Sequence, residues 1–374
     1  MNILFITQLF PFKRGDQYTS GPLREFIEEW GGMGHRVKVI RPHYGYENEA
    51  FPDQAEFKIG QNIDVEFIKP LRIPLLKLNF YSRSKVIREL PFHPDVVICH
   101  LYNSYFLFYK LARQLNVPLI IGIHMSDIRI SKNRFHYWRQ KQIFKYANGF
   151  AVRSHEILRK FISRFPEFKD KAFLALSGIP NRYIGLNANN VNEGDKIRII
   201  SVGSLIKRKQ IDKVLMALSA LDSVDWDYTI IGSGKEYDRL RHLSVSLGIQ
   251  HRVNFKGHME RDQVIDEMLD AQIFILPSYM ETLGLVYLEA MACGCITIGS
   301  KNEGIDGIIK DGVNGMLCDP YDMDSIREKL TQAFHQSEKE RAEMRDKALD
   351  TVSDFTLEKK AEAYLDHIKG FLTP

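Results

Sequence analysis

The sequence predicts an α/β protein of two doubly wound domains in tandem, each built on a parallel sheet. Three observations carry that prediction. Short, continuously apolar strands alternate with helices, as in a sheet covered on both faces. A polar stretch at 187–196 (Asn-Ala-Asn-Asn-Val-Asn-Glu-Gly-Asp-Lys) breaks the alternation, which restarts directly after it. The 374 residues also suit two domains at roughly 150 residues each.

In chain order, Asn2–Thr7 reads as a buried strand, 21–33 as a helix and 36–41 as the next strand. Pro22 fits a first helical turn, and Gly34-His35 ends that helix. A strand at 95–99, a helix at 105–115 and a strand at 118–123 continue the pattern. After the polar stretch come strands at Ile197–Val202, 227–231, 253–256, 273–277 and 295–298, with helices at 210–221 and 237–247. The expected domains are 1–186 and 197–355, joined by the linker 187–196 and followed by a terminal segment, 356–374.

Composition removes several classes. Cys99, Cys293, Cys295 and Cys318 are too few for a disulfide scaffold and form no C-x-x-C pair. No stretch approaches the roughly 18 apolar residues of a membrane span, and the first residues lack a signal-peptide pattern. A reduced, cytoplasmic protein is expected. The net charge of +4 is divided unevenly: residues 1–190 carry 28 Lys+Arg against 16 Asp+Glu, while 191–374 carry 23 against 31. Two basic runs without acids, 69–88 and 132–145, interleave cations with apolar residues. They suit either a solvated helix face over a core or an anionic membrane surface. No nucleic-acid module accompanies them, so no nucleic-acid partner is expected.

Ligands of parallel sheets bind beyond the carboxyl ends of the strands, so residues just after each strand carry the chemistry. After 273–277 comes a loop with Glu281, then a helix starting near Gly284. The amides of Leu283, Gly284 and Leu285 would form an anion site, reinforced by the helix dipole. Glu289, one turn on, is placed to accept the hydroxyls of a ribose, and Glu281 to bond a sugar. The same spacing equally fits two solvated glutamates at an ordinary junction. After Ile197–Val202, Ser204 precedes Lys207, Arg208 and Lys209, and three cations at a helix start oppose its dipole unless an anion binds. His124 and Asp127 follow the strand 118–123, His100 follows 95–99, and Gly257 and Met259 follow 253–256; each is a candidate by position. Asp225-Trp226-Asp227 matches a metal-binding D-x-D, but lies at the wrong end of its strand. Gly232-Ser233-Gly234 lacks the third glycine of a dinucleotide fingerprint, Tyr237 standing in its place.

Together these residues resemble glycosyltransferase family 4, retaining nucleotide-sugar transferases of the GT-B fold, with two Rossmann-like domains whose sheets face an interdomain cleft. The similarity runs along nearly the whole chain. Its most specific part is Glu281 to Glu289, an E-x7-E motif continued by Ala290-Met291-Ala292-Cys293-Gly294. Pro94-Asp95-Val96-Val97, His124 with Asp127, Ile230-Ile231-Gly232-Ser233-Gly234 and Asp311-Gly312-Val313-Asn314-Gly315 support it.

The resemblance implies that Glu289 holds the donor ribose and Glu281 the transferred sugar. It implies that Lys209 and the amides of Leu283–Leu285 hold the diphosphate, that His124 approaches the sugar from the other domain, and that Gly21 lies near the phosphates. It implies no metal and no cofactor, because cations and helix amides stabilise the departing diphosphate. Two departures stand out. Ser204 occupies a position where the family commonly has arginine, so Lys207 or Arg208 is expected to substitute. The glutamate many members carry is missing around Gly304-Ile305-Asp306-Gly307. The terminal helix, 357–372, is expected to cross back onto the first domain, as in related folds.

The function expected is transfer of a sugar from a nucleoside diphosphate donor, UDP favoured over GDP, to a hydroxyl of a glycan or lipid-linked acceptor. Bacterial surface-polysaccharide assembly, with peripheral contact to the inner membrane face, is the expected setting. The alternatives are a nucleotide-sugar epimerase on the same fold and a non-catalytic sugar-nucleotide-binding subunit.

Overall fold

The computed structural model describes residues 1–11, 21–43, 55–69, 71–73, 78–186, 196–221 and 224–372. The chain divides into two compact units, Met1–Ser177 with Leu357–Pro374, and Gly178–Thr356. Residues 178–186, assigned from the sequence to the first domain, therefore pack with the second. The expected linker lies outside the described residues except for Lys196.

Unit 1 opens with β1 (Asn2–Thr7), α1 (Gly21–Gly32) and β2 (Arg36–Pro42). Leu23, Phe26, Ile27 and Trp30 recur at helical spacing and turn one face of α1 into the core. Then come β3 (Glu56–Ile59), β4 (Ile63–Ile68), a hairpin of β5 (Leu71–Ile73) and β6 (Leu78–Phe80), and α2 (Arg83–Arg88). Next are β7 (Val96–His100), α3 (Tyr102–Leu115), β8 (Leu119–Ile123), α4 (Met125–Ile130), α5 (Arg134–Phe144), β9 (Gly149–Val152), α6 (His155–Arg164) and β10 (Ala172–Leu174). The sheet order is β10-β9-β8-β7-β1-β2-β4-β3, parallel except for the edge strand β3. Its central strands, β1, β7 and β8, are β-branched or apolar almost throughout, as sheets buried on both faces require. The basic run 69–88 falls partly outside the described residues, on the hairpin and α2.

Unit 2 contains β11 (Ile197–Val202), α7 (Ile211–Ser219), β12 (Trp226–Ile231), α8 (Tyr237–Ser246), β13 (Val253–Gly257), α9 (Arg261–Leu269) and β14 (Ile273–Ile275). It continues with α10 (Leu285–Ala292), β15 (Ile296–Ser300), β16 (Met316–Cys318), α11 (Met323–His335) and α12 (Glu338–Ser353). All six strands are parallel, in the order β13-β12-β11-β14-β15-β16. Connections leave β11 toward one side of the sheet and β14 toward the other. The crevice beyond the carboxyl ends of these two strands is the switch point where doubly wound sheets bind ligands.

The last helix, α13 (Leu357–Lys369), belongs to unit 1. Its Ala361, Tyr364, Leu365 and Ile368 join the core around Phe26 and Trp30, and the Trp30 indole donates to the Ala361 carbonyl at 3.0 Å. Truncating an aromatic anchor of this kind to alanine costs about 3–5 kcal/mol.

Candidate active site

Unit 2 gathers its chemistry at the switch point. The loop after β11 ends in a single 3-10 turn, Lys207–Lys209, and Gln210 takes a left-handed backbone (φ 52°) before α7 begins. The glycines of Gly232-Ser233-Gly234 brace this loop. Side chains there would run into the backbone of Gly203 and Leu205, and the Leu205 amide donates to the Ser233 carbonyl at 2.8 Å. The motif is thus a packing device for the cationic turn.

The loop after β14 carries Glu281 to the same place. Lys209 Nζ lies 2.6 Å from Glu281 Oε2, Arg208 Nη1 lies 2.9 Å from it, and the Ser278 hydroxyl donates to it at 2.9 Å. The Glu281 amide donates to Glu303 Oε2 at 2.9 Å. Burial alone would raise the Glu281 carboxyl, but Lys209 and Arg208 outweigh it and hold it at about 2. For Lys209 burial prevails over the same pairing and lowers it. Ser204 and Lys207 are exposed, so of the residues expected to stand in for the family arginine, Arg208 reaches the cluster.

Gly284 caps α10 with φ 81°, and a Cβ there would meet the Tyr287 ring at 2.5 Å. A glycine is required, and it leaves the amides of the first α10 turn at the mouth of the loop. Glu289, buried on α10, takes Arg261 Nε on Oε1 at 2.7 Å. Gly257 and Met259 stand at the carboxyl end of the edge strand β13, where the Gly257 carbonyl accepts from the Gly232 amide at 2.7 Å. A cavity of about 510 Å³ opens at the opposite end of this sheet, lined by Arg198, Asp227 and Arg252. Of the D-x-D carboxylates beside it, Asp227 pairs with Lys196 at 2.8 Å and Asp225 faces Arg252 at 3.8 Å. They diverge to separate cations.

Unit 1 gathers a different set. His100 ends β7, His124 follows β8 and Arg153 follows β9, three neighbouring strands. His100 Nδ1 lies 2.9 Å from His124 Nε2, and His100 Nε2 lies 3.1 Å from the Tyr364 hydroxyl on α13. Asp127 accepts the His124 amide at 2.8 Å and the Tyr105 hydroxyl at 3.2 Å. Burial, then the Arg153 charge, pull His124 down to about 3 and, with His124 itself, lower His100 well below the usual range. Burial pushes Asp127 up to about 7 against the hydrogen bonds it accepts. Gly21 is the first residue of α1.

Sequence reasoning missed Glu303, Ser278, Arg153, Arg261 and Tyr364. Glu303 lies past the end of β15, which runs two residues beyond the expected strand, and Arg153 follows β9, a strand the sequence reading does not include.

Residues 23–174 match the family model described as Glycosyltransferase Family 4, and residues 186–350 match Glycosyl transferases group 1. The N-acetyl-alpha-D-glucosaminyl L-malate synthase of Bacillus anthracis is 31% identical over 288 residues, 72% of this chain and 73% of that one. An uncharacterized glycosyltransferase of Methanocaldococcus jannaschii is 26% identical over 229 residues, 61% of this chain and 62% of that one, so this match spans under two thirds of the relative. The crystal structure of Anabaena HepE in complex with UDP superposes with a TM-score of 0.76 at 17% identity, covering 99% of this chain and all of the other. The chain belongs to glycosyltransferase family 4 and has its GT-B fold of two Rossmann-like domains.

Proposed function

We propose that the protein transfers a hexose or N-acetylhexosamine from a UDP-sugar to a hydroxyl of a glycan or lipid-linked acceptor, with retention and without a metal ion. The observation that carries the reading is the convergence of Lys209 and Arg208 on Glu281 beside the open amide end of α10. A diphosphate entering there meets two cations and the amides of Leu283, Gly284 and Leu285 at the start of α10, already oriented. Groups fixed before the charge develops stabilise a leaving group at little reorganisation cost.

In this reading Lys209 and Arg208, held by Glu281 Oε2, present their remaining N–H groups to the diphosphate, and the other oxygen of Glu281 accepts a hydroxyl of the sugar. Glu289 accepts the ribose hydroxyls, and His124 contacts the reacting sugar. The C1–oxygen bond to the diphosphate breaks as the acceptor oxygen joins C1 on the same face. The acceptor proton passes to the departing phosphate oxygen, which leaves as the nucleoside diphosphate. The UDP in the HepE complex and the alpha-glucosaminyl product in the Bacillus synthase's name support this choice of donor and stereochemistry.

The acceptor side is proposed to meet an anionic membrane during surface-polysaccharide assembly. On and beside α5, Phe135 and Trp138 are each 58% exposed among Lys132, Arg134, Arg139 and Lys145. No helix among the described residues is long and apolar enough to cross a membrane.

A thermal-shift screen of UDP, GDP, ADP and their sugar conjugates, without added metal, tests the reading. A ligand at 100 times its Kd stabilises the fold by about 2.7 kcal/mol. A shift confined to uridine compounds, with transfer lost in Glu281→Gln, is the expected result. No shift with any nucleotide indicates a silent subunit, and conversion of the UDP-sugar without acceptor indicates an epimerase.

A further inference from the structure

Arg261 takes no part in the transfer step above, yet its place in unit 2 is unusual. It is the first residue of α9, where a cation opposes the helix dipole. The helix start does not call for it. Gln263 Oε1 accepts the Glu260 amide at 3.1 Å in a capping box, and Asp262 supplies a favourable charge in the same turn. The arginine serves something other than its own helix.

That partner is Glu289. Arg261 Nε donates to Glu289 Oε1 at 2.7 Å, and Nη2 lies 2.5 Å from the same oxygen. Glu289 is 7% exposed, and Tyr287, Leu288, Ala290, Met291 and Ala292 around it on α10 are buried. A carboxylate in such surroundings is costly unless it is paired. Arg261 reaches it because α9 packs against α10, the Cys293 thiol of α10 lying 3.9 Å from the Ile265 carbonyl of α9. Both contacts fall on Oε1, which leaves Oε2 to accept a ligand hydroxyl.

The guanidinium is itself held from behind. The Tyr183 ring, buried on the segment 178–186, has its centroid 5.3 Å from Arg261 Cζ. The Tyr183 hydroxyl donates to Asp262 Oδ1 at 2.6 Å, and Arg182 Nη2 donates to the same oxygen at 3.0 Å. The first turn of α9 is thus tied to the tyrosine on which Arg261 rests. A planar guanidinium between an aromatic face and a carboxylate is confined in orientation, and it confines the carboxylate in turn. Without it, the ribose would have to order the glutamate on binding, at a loss of affinity.

We propose that Arg261 is a positioning residue for the donor. With Tyr183 behind it, it fixes Glu289 by Oε1 and presents Oε2 to the ribose hydroxyls, so that the pair sets the preference of the site for a ribonucleotide over one lacking those hydroxyls. This rests on the reading that Glu289 accepts the ribose hydroxyls. It also gives the segment 178–186 a task, because Tyr183 supports the donor site from there.

Calorimetric titration of the full-length protein with UDP and with 2′,3′-dideoxy-UDP tests the assignment. Hydrogen bonds to a charged group are strong enough that the parent should bind UDP about tenfold or more tightly than the dideoxy compound. Glu289→Ala should lose that preference. In Arg261→Met the preference should fall to about twofold or less, while affinity for the dideoxy compound stays within about twofold of the parent. The second value shows in the same experiment that the variant is folded with its diphosphate site intact. Arg261→Lys, which keeps the charge but offers a single nitrogen, should retain more of the preference than Arg261→Met. Equal losses for the two nucleotides in Arg261→Met would make the arginine a general support of the fold and overturn the proposal. A preference kept in full overturns it as well. A rise in UDP affinity would mean that Arg261 competes with the ribose for Glu289, and that too overturns it. In each of these cases the role of Glu289 stands if Glu289→Ala loses the preference. If the parent shows no preference, or Glu289→Ala keeps it, the role given to Glu289 fails and the proposal with it.

Discussion

The two clusters sit at equivalent places, beyond the carboxyl ends of parallel strands, and both bury ionisable groups. They treat burial in opposite ways. In unit 2 opposite charges lie within 3 Å of one another, and Glu281 stays ionised at about 2 with Lys209 and Arg208 upon it. In the unit 1 cluster no cation among the described residues pairs with Asp127, and the buried Arg153 faces imidazoles, so burial draws His124 to about 3 and Asp127 to about 7. Desolvation is the shared pressure, and the presence of a counter-charge decides whether a buried group keeps its charge or gives it up. An ionised cluster can hand its cations to an anionic ligand. A neutral one offers directed hydrogen bonds.

The sharpest way to break this contrast is Glu281→Gln. The substitution preserves shape and removes the counter-charge of Lys209, which is only 7% exposed. Removing one partner of a buried pair costs about 3–5 kcal/mol. Chemical denaturation should show a loss of that order at pH 7. The loss should shrink in acid, because stability from a depressed carboxyl is present above its unfolded value near 4.3 and disappears as pH falls through about 2. Unchanged stability at pH 7 would mean that the cluster is solvated and not paired.

Arg208 and Lys207 offer a finer comparison, since they adjoin in sequence and carry the same charge. Arg208 bonds Glu281, while the Lys207 side chain is exposed. Removing a charge-assisted hydrogen bond from a partly exposed group costs about 1–2 kcal/mol, so UDP affinity should fall about tenfold in Arg208→Ala. Lys207→Ala should stay within about 0.5 kcal/mol of the parent. Equal losses by calorimetry would show that the turn acts only through its net charge. Ser204→Arg added to Arg208→Ala should then restore binding if the two positions are interchangeable.

The legibility of these clusters follows sequence distance. Asn2–Thr7 and Ile197–Val202 could be read to the residue because an unbroken apolar run is the direct imprint of a strand buried on both faces. Glu281, Lys209, His100 and His124 could be read because each lies just past such a run. The strand at Gly149–Val152 is four residues long, and with it Arg153 went unseen. Tyr364 leaves no local imprint at all: it stands 264 residues from His100, and its pattern on α13 is that of an ordinary core tyrosine. Gly178–Leu186 was assigned to the wrong side of the division because the visible compositional break comes later than the packing break. Tyr183 shows why, bonding Asp262 within unit 2 at 2.6 Å.

The smallest expected effect belongs to Asp127→Asn, and it tests the neutral half of the comparison. Burial raises the Asp127 carboxyl to about 7, so asparagine resembles the form that the fold prefers. Its carbonyl can still accept the His124 amide, and its amide can donate to the Tyr105 oxygen once the Gln140 amide turns to place Oε1, in place of Nε2, on the phenol proton. The difference at pH 6 should be about 1 kcal/mol or less. The sign then depends on pH. A carboxyl raised in the folded state takes up a proton on folding, so its favourable contribution is complete below the unfolded value near 3.9 and is lost as pH rises through about 7. Above pH 7 the wild-type protein must bury a carboxylate and the variant does not. Stability relative to wild type should therefore move in favour of Asp127→Asn between pH 5 and pH 8. His100 and His124 are present in both proteins and largely cancel from the difference. A difference that stays flat across that range would place an ionised Asp127 in unit 1, and the two clusters would then share one solution to burial.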